Sequence, residues 1–281
     1  MKLHTTFRVG GPADVFCEPE NEDELRELVS VCEGSGTPFM VMGHGSNLLF
    51  GDGGYRGTVI CLGKAFSEVR VEGNVVCAGA GALLSQVANA ALESGLAGME
   101  FASGIPGSVG GALCMNAGAY GGEMKDILEE AVILEADGTL CTVLPDELEL
   151  GYRTSNIPML GRIVISAKFR LTPGDPEEIG AKMKELNAKR KEKQPLEYPS
   201  AGSTFKRPEG YFAGKLIEDA GLKGFTVGGA QVSEKHAGFV INRGDATAKD
   251  IMDLIREVQR RVKEHSGVDL ETEVKTAGEF L

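Results

Sequence analysis

The pattern of apolar residues predicts a β–α–β arrangement near the start of the chain. In residues 21–33, apolar side chains recur at the spacing of one helical face, Asn21 is placed to cap the first turn, and Glu24 follows three residues later. Residues 39–42 form a short apolar run that ends at Gly43, which predicts a buried strand. A helix followed at once by such a strand is typical of an α/β subdomain.

Two hairpins are predicted in the middle of the chain, because runs with strand character lie on both sides of turn sequences. One covers residues 69–78 and turns at 72–74, and the other covers 131–143 and turns at Asp137-Gly138. An Asp-Gly pair favours the left-handed backbone that a tight hairpin turn requires.

Further helices are predicted from apolar spacing and from their end signals. Thr247 and Asp250 form a capping pair for the last helix, and Gly267 ends it. The apolar face of that helix consists of Ile251, Leu254, Ile255, Val258 and Val262. The other predicted elements are helices at 83–94, 177–193 and 213–220 and short strands at 225–227 and 238–242.

A change in composition at Pro173-Gly174-Asp175-Pro176 predicts a domain boundary at about residue 172. The parts on either side differ in charge, since residues 1–170 hold 11 basic against 22 acidic side chains, whereas residues 171–281 hold 18 against 19. The net charge of −12 argues against a nucleic-acid partner, which requires clustered cations. A small anion could still be attracted by the second part, where we interpret one basic run as a solvated helix face that steers it, namely Lys189, Arg190, Lys191 and Lys193.

The cysteines and histidines indicate no metal centre. The six cysteines include no C-x-x-C pair and lie among apolar neighbours, so we expect buried free thiols, and the four histidines are scattered along the chain. No apolar run reaches the roughly 18 residues of a membrane span. We therefore expect a reduced, cytoplasmic protein without a membrane partner, and we expect it to be a monomer.

Glycine is the unusual component, at 39 of 281 residues, which is about twice its average usage. Three glycine-rich segments lie at 43–47, 79–81 and 104–122. Glycine lets backbone N–H groups approach phosphate oxygens, and it also forms tight turns, so both interpretations stay open for these segments. The spacings of the Rossmann fingerprint and of the Walker A loop are not met, which leaves a phosphate cradle of another type. Residues 203–206 match the S-x-x-K pattern of penicillin-binding enzymes without its companion elements.

Seven motifs occur in an order that resembles the MurB family of bacterial UDP-N-acetylenolpyruvoylglucosamine reductases. The resemblance runs from about Thr5 to Val274 and is closest to the shorter, type II class, which lacks an extra substrate-capping fold. The combination is far more specific than any one motif. The motifs are T-T-F-R-V-G-G-P-A at 5–13, G-H-G-S-N-L-L at 43–49, G-I-P-G-S-V-G-G-A at 104–112, M-N-A-G-A-Y-G at 115–121, G-Y-R-T-S at 151–155, A-G-S-T-F-K-R-P at 201–208 and L-E-T-E-V at 270–274.

The resemblance implies an α+β fold with a PCMH-type (VAO-like) FAD-binding region over 1–172, divided into α/β subdomains of about 1–60 and 61–172, and an α+β substrate-binding domain over 173–281. It also implies FAD and NADPH as cofactors and a UDP-sugar as substrate. The residues implied for substrate are Tyr152, Lys206, Arg207 and His236. Those implied for FAD are Gly43, His44, Gly45, Ser46, Asn47, Leu48, Gly104, Ile105, Pro106, Gly107, Gly110, Gly111, Asn116, Ala117 and Gly118.

Three catalytic residues are implied by the same resemblance. The reaction would reduce an enolpyruvyl ether to a lactyl ether during peptidoglycan synthesis, with the hydride coming from FAD N5. Ser203 would then donate a proton to the adjacent carbon, and Arg153 would bind the carboxylate on which negative charge develops. Glu273 would stabilise the same enolate, which it can do only if it is protonated or hydrogen-bonded through a donor, so we expect its pKa to be raised.

Two other functions stay open from the sequence. The first half of the chain would suit a different oxidase or dehydrogenase on the same flavin fold, although Arg153, Ser203 and Glu273 favour the reductase. A nucleotide-sugar binding protein without catalysis is the alternative from another class. Flavin colour separates this last alternative from the two flavoenzymes.

Overall fold

The computed structural model describes all 281 residues and divides them into two compact units. The central unit consists of residues 16–44 and 58–190, and the terminal unit consists of residues 1–15, 45–57 and 191–281. Each unit has a hydrophobic core of its own. No helix is long and apolar enough to cross a membrane.

The central unit is built on a five-stranded antiparallel sheet. Its strands, in spatial order, are Leu140–Val143, Leu128–Leu134, Ile163–Arg170, Val75–Gly79 and Val69–Glu72. A second sheet has three strands in the order Ala13–Cys17, Tyr55–Cys61 and Phe39–Met42, and its last pair is parallel. Two smaller antiparallel pairs join Leu96–Ala97 to Thr172–Pro173 and Gly118–Ala119 to Gly122–Glu123.

Four helices accompany these sheets. They are α1 (Glu22–Ser35), α2 (Leu84–Glu93), α3 (Val109–Cys114) and α4 (Pro176–Lys193). The side chain of Asn21 accepts a hydrogen bond from Glu24 N at 2.9 Å, which confirms the predicted cap of α1. Both predicted hairpins are present, and Gly138 has φ of +81° in the turn of the second.

The terminal unit joins both ends of the chain in one core. Strand Leu48–Phe50 pairs in parallel with Lys275–Ala277, and Thr226–Val227, Ala230–Val232 and Val240–Asn242 form an antiparallel sheet. Its helices are α5 (Ala213–Asp219) and α6 (Ala248–Ser266). Thr247 and Asp250 cap α6 reciprocally, and the five predicted apolar residues of this helix are buried. Each such burial contributes about 1.5–3 kcal/mol to stability.

The compact units do not divide the chain at residue 172, where the sequence predicts a domain boundary. Helix α4 follows that boundary, yet its residues Ile179 and Met183 belong to the core of the central unit. Conversely, residues 1–15 and 45–57 lie with the C-terminal part of the chain, because Asn242 Nδ2 donates to Phe7 O at 3.0 Å across 235 residues of sequence. The composition change at 173–176 thus marks the connection from strand Thr172–Pro173 to α4, whereas apolar packing decides where the compact units divide.

Candidate active site

In the central unit, strand Phe39–Met42 ends beside the start of α3. A Cβ atom on Gly43 would lie 2.0 Å from Ser108 Oγ, so this position accommodates glycine alone without a shift of its neighbour. The side chain of Ser108 is buried, whereas His44, the next predicted cofactor residue, is exposed. The first and third glycine-rich segments therefore contact each other at Gly43 and Ser108, two residues that are 65 positions apart in the sequence.

The start of α3 also lies against the second glycine-rich segment. Val109 N donates to Ala82 O at 2.9 Å, and Gly110 N donates to Ala80 O at 2.8 Å. The first amides of a helix have no partner within the helix, and here two of them are used by this loop. Close packing is therefore one role of these glycines, and the phosphate cradle stays a prediction.

Asn116 holds the glycine-rich segment to the next motif. Its side chain is fully buried, its Nδ2 donates to Gly151 O at 3.0 Å and to Glu123 Oε2 at 3.1 Å, and its Oδ1 accepts from Lys125 N at 3.0 Å. The Lys125 ammonium lowers the pKa of Glu123, whose carboxylate it contacts at 2.9 Å. Binding of the cofactor by Asn116 stays a prediction, and the structure shows that its side-chain amide makes three hydrogen bonds within the protein.

Arg153 lies at the tip of a tight turn. Gly151 and Thr154 pair with each other across the turn, and Arg153 has φ of +54°, an uncommon backbone conformation for a side chain of this size. Its Nη2 donates to Gly118 O at 2.8 Å, and its guanidinium carbon lies 5.2 Å from the centre of the Tyr152 ring. These contacts orient the guanidinium beside predicted cofactor residues 116–118.

The base of the same turn is fixed to α3. Ser155 is buried, and its Oγ donates to Cys114 O at 2.9 Å. The segments 43, 79–82, 104–118 and 151–155 therefore form one connected region of the central unit. Sequence reasoning identified the segments, but it missed Ser155 and the connecting role of Asn116.

In the terminal unit, Ser203 and Glu273 are brought together by backbone pairing. Glu273 N donates to Thr204 O at 2.9 Å, and Lys206 N donates to Glu271 O at 2.8 Å. The hydroxyl of Thr204, the neighbour of Ser203, is buried and accepts from Val240 N at 2.9 Å. Two predicted catalytic residues thus lie on adjacent, hydrogen-bonded segments, and both side chains are half-buried.

Asn47 links the second motif to this pair. Its Nδ2 donates to Glu273 O at 3.1 Å, and its backbone carbonyl accepts from Lys275 N at 3.0 Å. Binding of FAD by Asn47 stays a prediction, and the structure shows that its side chain fixes the backbone of Glu273. Gly45 precedes it with φ of +63°, a conformation that glycine adopts without strain.

Two buried hydroxyl groups beside this segment match a bound cofactor. Thr6 N donates to Gly45 O at 3.3 Å, and the hydroxyl oxygens of Thr5 and Thr6 are buried without a hydrogen-bond partner. Buried polar atoms are normally paired, so such orphans indicate a partner that the chain itself does not supply. The T-T-F-R motif was noted in the sequence, but neither threonine was assigned to the site.

The predicted substrate residues differ in how tightly they are held. His236 Nδ1 accepts from Gly238 N at 3.1 Å, which leaves Nε2 as the ring donor, and burial lowers the pKa of His236. Lys206 Nζ pairs with Glu271 Oε1 at 2.5 Å. Arg207 is exposed and stacks on the ring of Phe212 at 3.9 Å.

Comparison with known proteins shows to which family this chain belongs. The UDP-N-acetylenolpyruvoylglucosamine reductase from Agathobacter rectalis is 58% identical over 292 residues, which cover 100% of this chain and 93% of that protein. The enzyme of the same name from Clostridium novyi is 53% identical and covers 99% and 91%. The chain belongs to the UDP-N-acetylenolpyruvoylglucosamine reductase (MurB) family. The crystal structure of the reductase from Thermus caldophilus has a TM-score of 0.86 and 40% identity, and the match covers 98% of this chain and 96% of that one.

Two domain models agree with this family. An FAD binding domain matches residues 13–144, and the C-terminal domain of UDP-N-acetylenolpyruvoylglucosamine reductase matches residues 194–277. The predicted α+β fold with a PCMH-type FAD-binding region and a MurB C-terminal domain is confirmed. Like its family, the chain is an FAD-dependent oxidoreductase. The FAD model includes the glycine-rich segments at 43–47, 79–81 and 104–122.

Proposed function

We propose that this MurB family member reduces the enolpyruvyl ether of UDP-N-acetylglucosamine enolpyruvate to UDP-N-acetylmuramate for peptidoglycan synthesis, with NADPH as the reductant. The names of the relatives support the substrate class. The structural observation that supports the proposal is the hydrogen bond from Glu273 N to Thr204 O, which pairs the backbone segments that carry Ser203 and Glu273. A hydroxyl and an acid carried on paired segments would suit protonation of an enolate.

In the central unit, the residues that would hold FAD include Gly43, residues 104–107, Gly110 and Gly111. In the terminal unit, they are Gly45 to Leu48, and the orphan hydroxyls of Thr5 and Thr6 are further candidates. FAD, when bound, would supply the hydride chemistry, with NADPH as the source of the hydride. The protein has to bind, orient and polarise the substrate.

Arg153 binds the substrate carboxylate in this proposal. Hydride addition at the terminal carbon leaves negative charge on the neighbouring carbon and on the carboxylate, and a planar guanidinium can hold both carboxylate oxygens. Gly118 O and the Tyr152 ring already orient the group before substrate arrives. Preorganised donors of this kind are typically worth about 2.7–4 kcal/mol at the transition state.

Ser203 donates its proton to the carbon next to the carboxylate, which completes the reduction. Glu273 stabilises the enolate from a neighbouring position and has to carry a proton to do so, because a carboxylate would repel the developing charge. We therefore predict that the pKa of Glu273 is raised in the substrate complex. A Glu273→Gln variant, which keeps a donor, should retain more activity than Glu273→Asp at pH 8.

The remaining polar side chains bind the sugar nucleotide. Neutral His236 offers a single ring donor at Nε2, fixed in direction by Gly238 N. Tyr152 presents an exposed phenol, and Arg207 an exposed guanidinium. Lys206 serves the diphosphate only if it exchanges or shares the carboxylate of Glu271, so Glu271→Gln should lower the KM for the sugar nucleotide.

Two half-reactions test the proposal. The purified protein should be yellow, NADPH should bleach it without oxygen, and the enolpyruvyl sugar nucleotide should then restore the colour. A colourless protein would leave only the binding-protein alternative. Bleaching by NADPH without reoxidation by the enolpyruvyl compound would favour another oxidase or dehydrogenase on the same flavin fold. The monomeric state and cytoplasmic location stay predictions, and light scattering would test the first.

A further inference from the structure

Arg190 is half-buried, whereas the other residues of the basic run, Lys189, Lys191 and Lys193, are exposed. The inward face of α4 carries Ile179, Met183 and Leu186, all buried, and Arg190 continues this face at helical spacing. Its neighbour Lys189 is exposed and pairs with Glu185. The interpretation of the run as a solvated face therefore holds for Lys189 and is wrong for Arg190.

The guanidinium of Arg190 lies against the first glycine of the third glycine-rich segment. A Cβ on Gly104 would lie 3.0 Å from Arg190 Nε and 2.2 Å from Asn187 Oδ1, so the absence of a side chain at 104 lets the arginine reach the backbone. On its other side, the guanidinium carbon is 5.8 Å from the centre of the Tyr120 ring. The arginine is thus held between a glycine backbone and an aromatic face.

This cation has no anionic partner in the protein. Arg190 makes a cation–π contact with Tyr120 and no ion pair. Arg153, Arg162 and Arg170 of the same unit each donate hydrogen bonds to protein oxygens. Burial lowers the pKa of Arg190, and Tyr120 opposes that shift weakly. A partly buried guanidinium without a carboxylate is costly, since the desolvation of the charge is not offset.

We propose that Arg190 binds an anionic group of the FAD cofactor. The assignment rests on the proposed binding of FAD by residues 104–107, whose first residue the guanidinium contacts. FAD offers two such groups, its diphosphate and the N1–C2 carbonyl edge of the reduced isoalloxazine. A fixed guanidinium suits either of them, because its planar fork holds two acceptors at once. Binding at the diphosphate raises affinity for both redox states, whereas binding at the ring edge favours the reduced state.

The test compares Arg190→Gln with Lys189→Gln, which removes the same charge from the adjacent, exposed position. The full-length protein is stripped of FAD and reconstituted, and the Kd for FAD and the two-electron reduction potential are measured. If Arg190 binds the diphosphate, Arg190→Gln should raise the Kd for FAD at least tenfold and leave the reduction potential unchanged. If it binds the ring edge, Arg190→Gln should lower the reduction potential. A tenfold preference for reduced FAD corresponds to about 30 mV. Lys189→Gln should match the wild type in both.

Thermal unfolding provides a readout that is independent of activity. Without FAD, Arg190→Gln should unfold at the same temperature as the wild type or higher, because an unpaired cation is removed, and added FAD should raise its Tm less than it raises that of the wild type. Arg190→Lys keeps the charge without the fork and should fall between them. This variant also keeps the test valid if the glutamine variant fails to fold.

Two results would overturn the assignment. In the first, Arg190→Gln and Arg190→Lys match Lys189→Gln in Kd, potential and Tm. In the second, the Kd for FAD and the reduction potential are unchanged, and only the KM for NADPH or for the sugar nucleotide rises. Arg190 would then bind an anionic group of that ligand instead of FAD. Both results leave the proposed function intact, whereas a wild-type protein that binds no FAD would remove the proposed function and this assignment together.

Discussion

Replacing Asn116 by alanine should destabilise the protein and reduce turnover together. The side chain is fully buried, and its loss leaves Gly151 O and Lys125 N without their partner. Each unsatisfied buried group costs about 1–3 kcal/mol, so the two together cost about 2–6 kcal/mol. Asn116 also has φ of +40°, a region that asparagine tolerates better than alanine. We expect a loss of about 3–5 kcal/mol, which is a large fraction of typical stability.

The functional effect follows from the position of Gly151. This residue begins the turn that carries Arg153, and Asn116 is one of the groups that hold it. A displacement of about 1 Å in a group that positions substrate can cost about 10²-fold in rate. We therefore expect kcat to fall by about that factor, while the rate at which NADPH reduces the flavin changes little.

Urea unfolding followed by far-UV circular dichroism measures the stability change, because the chain contains no tryptophan for fluorescence. Asn156→Ala is the matched control. Asn156 Nδ2 makes one hydrogen bond, to Glu147 O, and its buried Oδ1 has no partner, so its removal should cost about 1 kcal/mol or less. Equal free energies of unfolding for the two variants, or a kcat of Asn116→Ala equal to that of the wild type, would refute this account of Asn116.

Two further predictions concern packing and pH. Gly43→Ala should lower the free energy of unfolding by about 1–3 kcal/mol and weaken FAD binding, because the new Cβ meets Ser108 Oγ. Ser108→Ala should rescue part of the loss in a double-mutant cycle, and additive losses would contradict the contact. Asp250→Asn should cost about 1 kcal/mol at pH 7. Hydrogen bonding from the Thr247 backbone lowers the pKa of Asp250 below 3.8, so its contribution is complete above that pH and is lost as the pH falls through the folded value. The difference in unfolding free energy between wild type and variant should therefore shrink below about pH 4, and a difference independent of pH would contradict the prediction.

The local elements could be predicted from the sequence because their signals are local. The capping side chains of α1 and α6 and the Asp-Gly turn lie within a few residues of what they control. Helix and strand ends were accordingly found within a few residues. The pairing of residues 48–50 with 275–277 has no such signal, since neither segment identifies its partner.

The site could be predicted only in part for the same reason. The family resemblance identified Ser203 and Glu273 as candidates, but the hydrogen bond that brings their segments together depends on the tertiary fold. The resemblance implied Asn116 for the cofactor, which stays a prediction, but it gave no sign that the side chain connects two protein segments. A buried asparagine with positive φ among glycines is the signal that could have indicated this role.

The proton-donor role of Ser203 is tested most directly by measuring the two half-reactions of Ser203→Ala in an anaerobic stopped-flow instrument. The account predicts that NADPH reduces the bound flavin at the wild-type rate, while reoxidation by the enolpyruvyl sugar nucleotide slows by about 10²-fold to 10⁴-fold, the usual contribution of a positioned acid. Ser266→Ala, an exposed serine of the same unit, should match the wild type in both phases. Equal slowing of both phases in Ser203→Ala, or reoxidation at the wild-type rate, would contradict the proposed chemistry.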